Sequence, residues 1–440
     1  MQDSLSKRKI SSKIYDVLTE YIFPILLLTS TGAFSWAIRG CAGYGTIRGC
    51  VFVGCMLSSV WLLLSHENTY ERQRRYSSGW IVLALVVGIG IGGMRGWGQY
   101  PQWCNGIWRV RDYDYNYVVS IHPLIGYFWL FIAGSGWAGM GSALLAWTGS
   151  KKQIKKKDWI LRLSMGFGSG LLAYILFKTF PGMFLPLYDS LEYDNFLICT
   201  ECSDAIDDIG VALVMFAILI GFYLYEIIKK DWMNVKLITI VTMISGFLWV
   251  IFMLLGMDDI WWRVWEGSAG IGIGFAYGVA YVVCNRKLKE DNPYQRKQKT
   301  SRFPQSEKII GIYIAYFFGL GWSTHQVIQG HLDIYWNIDT PTFNWSFLIP
   351  WGIHGMVFLS YLVWRAVKES EKKINPNADP LPEYIFITAF VYLSLRIYGL
   401  MVTGPLDNPW ERGFFMFYLI QMSIEILIMI ITLLIKKKQN

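Results

Sequence analysis

Residues 209–228 read IGVALVMFAILIGFYLYEII, and residues 237–257 read LITIVTMISGFLWVIFMLLGM. Each run is about as long as the roughly 20 apolar residues that an α-helix needs to cross the hydrocarbon core of a bilayer. Glu226 carries the only charge in the two runs. Because backbone groups in lipid must be hydrogen-bonded within their own segment, the runs predict two membrane-spanning helices joined by a short polar turn.

The composition of the whole chain points to a membrane protein. Among its 440 residues, 54% are hydrophobic and 16% are charged, whereas a soluble domain carries about 25% charged residues. The mean hydropathy is +0.34. These values exclude a disordered chain, a coiled coil and a disulfide-stapled secreted domain. We expect an all-α polytopic membrane protein with one transmembrane domain over residues 1–440, including a short cytoplasmic tail 1–20 and a cytoplasmic linker loop 285–307.

Twelve stretches of the sequence are long and apolar enough for a membrane span. They cover residues 21–38, 46–65, 79–95, 117–148, 160–180, 205–228, 234–257, 265–284, 308–330, 346–367, 382–403 and 413–435. The fourth stretch is longer than a span requires, so it must tilt, kink or protrude. We therefore predict about twelve transmembrane helices.

The basic residues predict how these spans are oriented. Cytoplasmic loops carry an excess of Lys and Arg, and most of the 40 Lys and Arg fall on one side when both termini are cytoplasmic. Membrane insertion then explains the net charge of +8, and no nucleic-acid-binding motif accompanies that charge. We predict an integral protein of the plasma (inner) membrane that contacts membrane lipids and no nucleic acid.

Glycine spacing predicts close contacts between helices. Three glycines lie four residues apart in the third span and three more in the eighth, namely Gly88, Gly92 and Gly96, and Gly270, Gly274 and Gly278. Small residues at this spacing let helix backbones approach closely in lipid. We expect a tight glycine-rich helix bundle. A sliding surface between moving helices would give the same pattern.

Arginine beside glycine and tryptophan recurs at the predicted outer ends of the spans. The guanidinium presents a planar fork of donors that fits a carboxylate or a phosphate, and helix starts favour anions. We predict an outward-facing site for an anionic or saccharide solute, formed by Arg39, Arg48, Arg95, Trp97, Arg263 and His325. In the alternative interpretation, the arginines bind lipid phosphate or pair with nearby acids.

Tryptophan also concentrates at the predicted outer ends, with Trp103 and Trp108 among the examples. A plain aromatic belt would be nearly symmetric across the two membrane interfaces. The excess predicts either aromatic walls around an outer vestibule or a hydrophobic cap built by the outer loops.

Glu425 lies in the middle of the twelfth span, with Gln421 one turn before it. An ionised carboxylate at this depth is costly, so it must be paired, hydrated or protonated. A carboxyl group that takes up and releases a proton here would couple transport to a proton gradient. The alternative is a hydrogen-bonded strut that holds the helix to the bundle.

The sequence contains no pattern for a metal or a cofactor, and we predict neither. The histidines lack the H-E-x-x-H spacing of a zinc site. Cys199 and Cys202 form a C-x-x-C pair in a predicted outer loop, which is typical of a local disulfide or of two free thiols.

Two functions fit these features. The first is a transporter for a small anionic or sugar-like solute, with Glu425 as the proton-coupling residue. The second is a membrane-embedded transferase that acts on a lipid-linked, phosphate-containing substrate at the outer leaflet, with His325 or Glu266 as the base. We favour the transporter and predict no catalytic residue for it.

Overall fold

The computed structural model describes residues 17–41, 47–65, 74–93, 100–111, 116–150, 155–194, 199–254 and 262–287. It also describes single helical residues between positions 356 and 368 and between positions 416 and 427. The described chain is mostly helical. The predicted spans 308–330 and 382–403 lie outside the described residues, and only single residues of 346–367 and 413–435 are described.

Nine α-helices follow one another in the described part of the chain. They are α1 (Phe23–Cys41), α2 (Ile47–Leu64), α3 (Trp80–Gly92), α4 (Tyr100–Cys104), α5 (Pro123–Thr148), α6 (Lys156–Thr179), α7 (Thr200–Ile228), α8 (Trp232–Leu254) and α9 (Trp262–Cys284). A π-helical turn, Leu18–Ile22, precedes α1, and two 3₁₀ turns, Pro181–Met183 and Tyr188–Ser190, lie between α6 and α7.

Five of the described helices are long and apolar enough to cross a membrane. They comprise α5, α6, α7, α8 and the Gly267–Cys284 part of α9. Shorter apolar stretches occur at Gly49–Leu62 in α2 and at Trp80–Gly92 in α3. Several helices of this kind are the architecture of an all-α integral membrane protein.

A small β-hairpin interrupts the helices and corrects the predicted fourth span. Strand β1 (Ile107–Arg111) pairs antiparallel with β2 (Asn116–Ser120), and Arg109 lies opposite Val118. The start of the predicted span 117–148 is therefore a strand, and helix α5 begins only at Pro123. Hydropathy alone does not distinguish a strand from the start of a helix here, because aromatic and β-branched residues also favour strands. Proline at the first helical position fixes where α5 starts.

Six of the described helices form a ring of neighbour contacts. Going around it, α1 packs against α2, α2 against α3, α3 against α5, α5 against α8, α8 against α9, and α9 against α1. Helices α6 and α7 pack against each other outside this ring, and α7 also contacts α5 and α8. We call this arrangement the helix ring.

Aromatic side chains fill the interior of the helix ring. The rings of Trp36, Trp137 and Trp249 lie with centroids 4.8 to 5.8 Å apart, so α1, α5 and α8 meet there. The hydroxyl of Tyr277 in α9 donates to the backbone oxygen of Ala138 in α5 at 2.7 Å. Trp61 of α2 contacts Tyr277 and Tyr281 of α9 edge to face. Because several of these contacts join helices that are not neighbours in the ring, they must cross its interior. We call Trp36, Trp61, Trp137, Trp249, Tyr277 and Tyr281 the aromatic column.

The glycine stripes lie where helices approach most closely. A Cβ added to Gly88 of α3 would lie 2.5 Å from the Cα of Gly141 in α5. A Cβ added to Gly278 of α9 would lie 2.8 Å from the Cα of Ile25 in α1. Gly270 and Gly32 face each other in the same α1–α9 contact. These glycines therefore permit backbone-to-backbone packing on two sides of the ring.

Candidate functional site

The predicted outer site lies largely outside the described residues. Arg39 lies in α1, Arg48 in α2 and Arg263 in α9, and the structure describes their helical backbone but not their side chains. The positions of Arg95, Trp97, His325 and Glu425 lie outside the described residues altogether.

The described neighbours of these residues still show which helix ends lie together. The thiol of Cys50, at the start of α2, donates to the backbone oxygen of Gly93, just after α3, at 3.1 Å. Gly270 in α9 packs against Trp36, near the end of α1. Five residues join the end of α1 to the start of α2. The helix ends that carry Arg39, Arg48 and Arg263 therefore share one end of the helix ring, which we call the arginine end.

Trp103 and Trp108 belong to a closed aromatic cluster beyond the ring. Trp103 of α4 and Trp108 of β1 are completely buried, with ring centroids 5.2 Å apart. Tyr100 stacks on Trp129 of α5, and Trp108 contacts Tyr193. Burial raises the pKa of the Tyr193 hydroxyl, which donates to the backbone oxygen of Pro186. For Trp103 and Trp108, the structure favours the hydrophobic cap over an open aromatic wall.

The opposite end of the ring holds a cluster of buried charges, and we call it the network end. Its centre is the segment Arg74–Ser78, which lies between α2 and α3. This segment is not helical, yet the exposed fraction of each of its residues is at most 8%. A buried loop must find hydrogen-bond partners for its backbone and side chains, and the neighbouring helices supply them here.

Arg75 connects this segment to two neighbouring helices. Its Nη2 donates to Oδ1 of Asp231, in the α7–α8 turn, at 2.6 Å, and to Oδ1 of Asn234 in α8 at 3.2 Å. Its Nε donates to the backbone oxygen of Gly149, which follows α5, at 2.6 Å. The fork of the guanidinium thus joins the segment Arg74–Ser78 to Gly149 and to residues 231–234, both of which are distant in sequence.

Arg74 and Tyr76 connect the same segment to the other side of the ring. Arg74 pairs with Glu20, before α1, at 2.6 Å and donates to the backbone oxygen of Asn285, after α9, at 2.9 Å. The backbone N–H of Tyr76 donates to Oδ1 of Asn285 at 2.8 Å. Trp61 of α2 donates to the backbone oxygen of Tyr76 at 3.0 Å.

A second buried ion pair extends the network to α6 and α7. Nη2 of Arg162 donates to Oε1 of Glu226 at 2.7 Å, and both side chains are 1% exposed. The guanidinium carbon lies 4.9 Å from the ring centre of Trp147 and 4.7 Å from that of Tyr225. Cation–π attraction adds to the pairing at such distances. Nε and Nη1 of Arg162 have no hydrogen-bond partner among the described residues.

Asn234 joins the ion pair of Arg75 with Asp231 and that of Arg162 with Glu226 into one network. Its amide nitrogen donates to Oε2 of Glu226 at 2.9 Å, and its amide oxygen accepts from the hydroxyl of Tyr76 at 2.7 Å. A fourth pair, Lys229 with Asp158 at 2.6 Å, lies at the partly exposed rim. The hydrogen bond that Lys229 donates to Asp158 raises the pKa of Lys229. Each cation of these pairs has an acidic partner, and Lys287 shares Glu20 with Arg74. A network of paired charges suits closure better than ion capture.

Little in the sequence indicates this network. Arg74, Arg75 and Arg162 belong to the basic residues that predict cytoplasmic loops, and that role does not require burial. The one usable signal was Glu226 in the apolar run of α7, since an acid there must be paired. Its partner could not be found without the fold.

An apolar groove with a volume of about 540 Å³ lies beside the start of α5, lined by Leu124, Phe128, Trp129, Leu213 and residues 182–187.

Cys199 and Cys202 form a disulfide at the start of α7, which is the first of the two expected states, a local disulfide or two free thiols. Among the described residues, no three His, Cys, Asp or Glu side chains are grouped to hold a metal ion.

Comparison with protein families, with functionally characterised proteins and with solved structures finds no match for this chain.

Proposed function

We propose that this protein is a twelve-span transporter of the plasma membrane for a small anionic or sugar-like solute. The difference between the two ends of the helix ring carries the proposal. A network of paired charges closes one end, and helix ends bearing Arg39, Arg48 and Arg263 meet at the other. Alternating access requires that the two ends of a carrier open in turn, and the described ends differ in the contacts that hold them.

Charge assigns the two ends to the two sides of the membrane. The network end contains Arg74, Arg75, Lys155 and Lys229, so the positive-inside rule places it in the cytoplasm together with both termini. The arginine end then faces outward. Cationic side chains there, next to the N-terminal ends of α2 and α9, favour a carboxylate, sulfate or phosphate group on the solute.

Uptake into proteoliposomes tests this proposal directly. Purified protein is reconstituted, and accumulation of labelled sugar acids and phosphorylated sugars is measured with and without a pH gradient. Arg39→Lys should reduce uptake by about tenfold or more, because Lys keeps the charge but loses the bidentate fork. Arg109→Lys is the matched control, since Arg109 is exposed on the hairpin. Equal uptake by both variants would leave Arg39 only a lipid-anchoring role.

Proton coupling through Glu425 has a separate test. Glu425→Gln mimics the protonated carboxyl group and keeps its shape, so we expect pH-driven accumulation to disappear while exchange between two filled compartments survives. Normal accumulation in this variant would remove the coupling role. A structural strut predicts instead that Glu425→Gln transports normally and that Glu425→Leu lowers thermal stability by leaving a partner unpaired.

The apolar groove favours a second candidate, a transferase for a lipid-linked phosphate substrate. The groove lies along α5, one of the candidate membrane spans, and its volume is in the range of ordinary ligand sites. Incubation of the purified protein with a lipid-linked sugar phosphate and an acceptor distinguishes the two functions. A new glycosylated or phosphorylated product without solute accumulation would favour the transferase.

A further inference from the structure

The segment Arg74–Ser78 occupies the mouth of the helix ring at the network end. It hydrogen-bonds to α2, α8 and the residues that follow α5 and α9, and it pairs with Glu20 before α1. Few non-helical segments are buried on all sides in this way, because their backbone groups need partners. Immediately beyond it lie Trp61 and Tyr281 of the aromatic column.

We propose that Arg74–Ser78 is a movable plug that closes the cytoplasmic mouth of the ring and leaves it during each transport cycle. This inference rests on the proposed transport function and adds the element that opens. The ion pairs of Arg74 with Glu20 and of Arg75 with Asp231 would separate on opening, and their charges would then face water.

The chemistry of the contacts favours a reversible closure. Apart from the aromatic ring of Tyr76, which is buried in the core, the plug is held by ion pairs and hydrogen bonds, whereas the helix ring above it is held by aromatic and glycine packing. A buried ion pair is only slightly more stable than its two ions separated in water. Polar contacts of this kind therefore exchange for water at small net cost. Exposing apolar surface to water costs free energy in proportion to the area exposed. The plug is therefore the part of the closed end that can move most easily.

Attachments on two opposite sides of the mouth hold the plug across the ring. Arg75 bonds to Gly149 and Asp231 on the side of α5, α7 and α8. Arg74 forms an antiparallel bridge with Lys287 after α9. Withdrawal of the plug breaks both attachments and opens a path to the aromatic column, which must also rearrange for a solute to pass.

A reversible disulfide tests whether the plug moves. Arg74→Cys with Lys287→Cys, in a cysteine-free background, places two thiols at bridged backbone positions, where Cα atoms lie close enough for a disulfide. Oxidised and reduced samples of the same variant have the same altered charges, so they differ only in the disulfide. Arg109→Cys with Val118→Cys is the matched control, because these residues face each other across the β-hairpin.

Two measurements follow once mass spectrometry has verified each bridge. Uptake by the plug pair should fall at least about tenfold on oxidation and recover with reductant, whereas the control pair should transport equally in both states. Hydrogen–deuterium exchange of the amides at 74–78 should be at least about tenfold slower in the oxidised plug pair than in the reduced one.

The outcomes separate the plug from the transport function. If the unaltered protein transports a solute and the plug pair transports equally when oxidised and reduced, the plug does not move and the proposal is overturned. If the unaltered protein transports none of the tested solutes, the proposed function fails and exchange decides for the plug. Exchange at 74–78 that is equally slow in both redox states would then show a static seal.

Discussion

The guanidinium of Arg162 is stabilised by one carboxylate and by aromatic faces. It is 1% exposed and pairs with Glu226, while Trp147, Trp159 and Tyr225 surround it. A buried charge depends on its partner, because removing one member leaves the other without water or a counter-charge. Replacing both members with apolar residues of similar size is much less costly. Replacing one member of the pair should therefore destabilise the protein more than replacing both.

We expect Arg162→Leu to destabilise the protein by about 3–5 kcal/mol, because Glu226 is left buried and unpaired. The double variant Arg162→Leu with Glu226→Leu should recover most of this loss. Thermal unfolding of the purified proteins in detergent, followed by tryptophan fluorescence, measures both effects. Lys229→Leu is the control at the partly exposed pair with Asp158 and should change the unfolding temperature little. A double variant as unstable as Arg162→Leu would contradict this account.

At the scale of helices, the sequence predicts where most elements lie. The predicted spans 205–228 and 234–257 correspond to Thr200–Ile228 and Trp232–Leu254. Hydropathy succeeds here because lipid requires continuous, internally hydrogen-bonded apolar segments. It fails at residues 117–120, where the same apolar character belongs to a strand.

Helix partners are not predictable in the same way. The stripe at Gly270, Gly274 and Gly278 indicates close packing, but nothing in its spacing selects α1 as the neighbour. Likewise, Arg75 and Asp231 are 156 positions apart, and only the fold brings their side chains together. The buried network was therefore beyond reach from sequence, whereas the site at Arg39, Arg48 and Arg263 stays a prediction, because the structure does not describe their side chains.

The α1–α9 contact leaves no room for a side chain at Gly274. An added Cβ would collide with the backbone oxygen of Leu28 and lie 2.8 Å from the Cα of Thr29. We expect Gly274→Leu to lower stability by at least about 1–3 kcal/mol through overpacking. Gly168→Leu is the matched control on α6, where nothing lies within 4 Å of the added Cβ among the described residues. Unfolding temperature and monodispersity in detergent measure the difference, and equal stability would refute close α1–α9 packing.

At the scale of the molecule, the two ends of the bundle differ in chemistry. Ion pairs and amide hydrogen bonds tie α5, α6, α7, α8 and α9 together at the network end. The aromatic cluster around Trp103 and Trp108 lies beyond the start of α5, at the opposite end of that helix. A protein that works across a membrane needs such an asymmetry, since its two faces meet different solutions and different lipid charge.

This asymmetry makes a sidedness prediction that involves α6. Lys155 precedes the helix next to the ion pair of Lys229 with Asp158, and Ser190 follows it near the Tyr188–Tyr193 contact. Both residues are exposed, and a helix of 24 residues spans about 36 Å, enough to cross a bilayer. In a cysteine-free background, a membrane-impermeant maleimide added to intact cells should label Ser190→Cys and spare Lys155→Cys. Permeabilised cells should label both, which controls for reactivity. Labelling of both from one side would place the two ends of α6 in the same compartment, which would exclude a membrane span between them and the twelve-span topology with it.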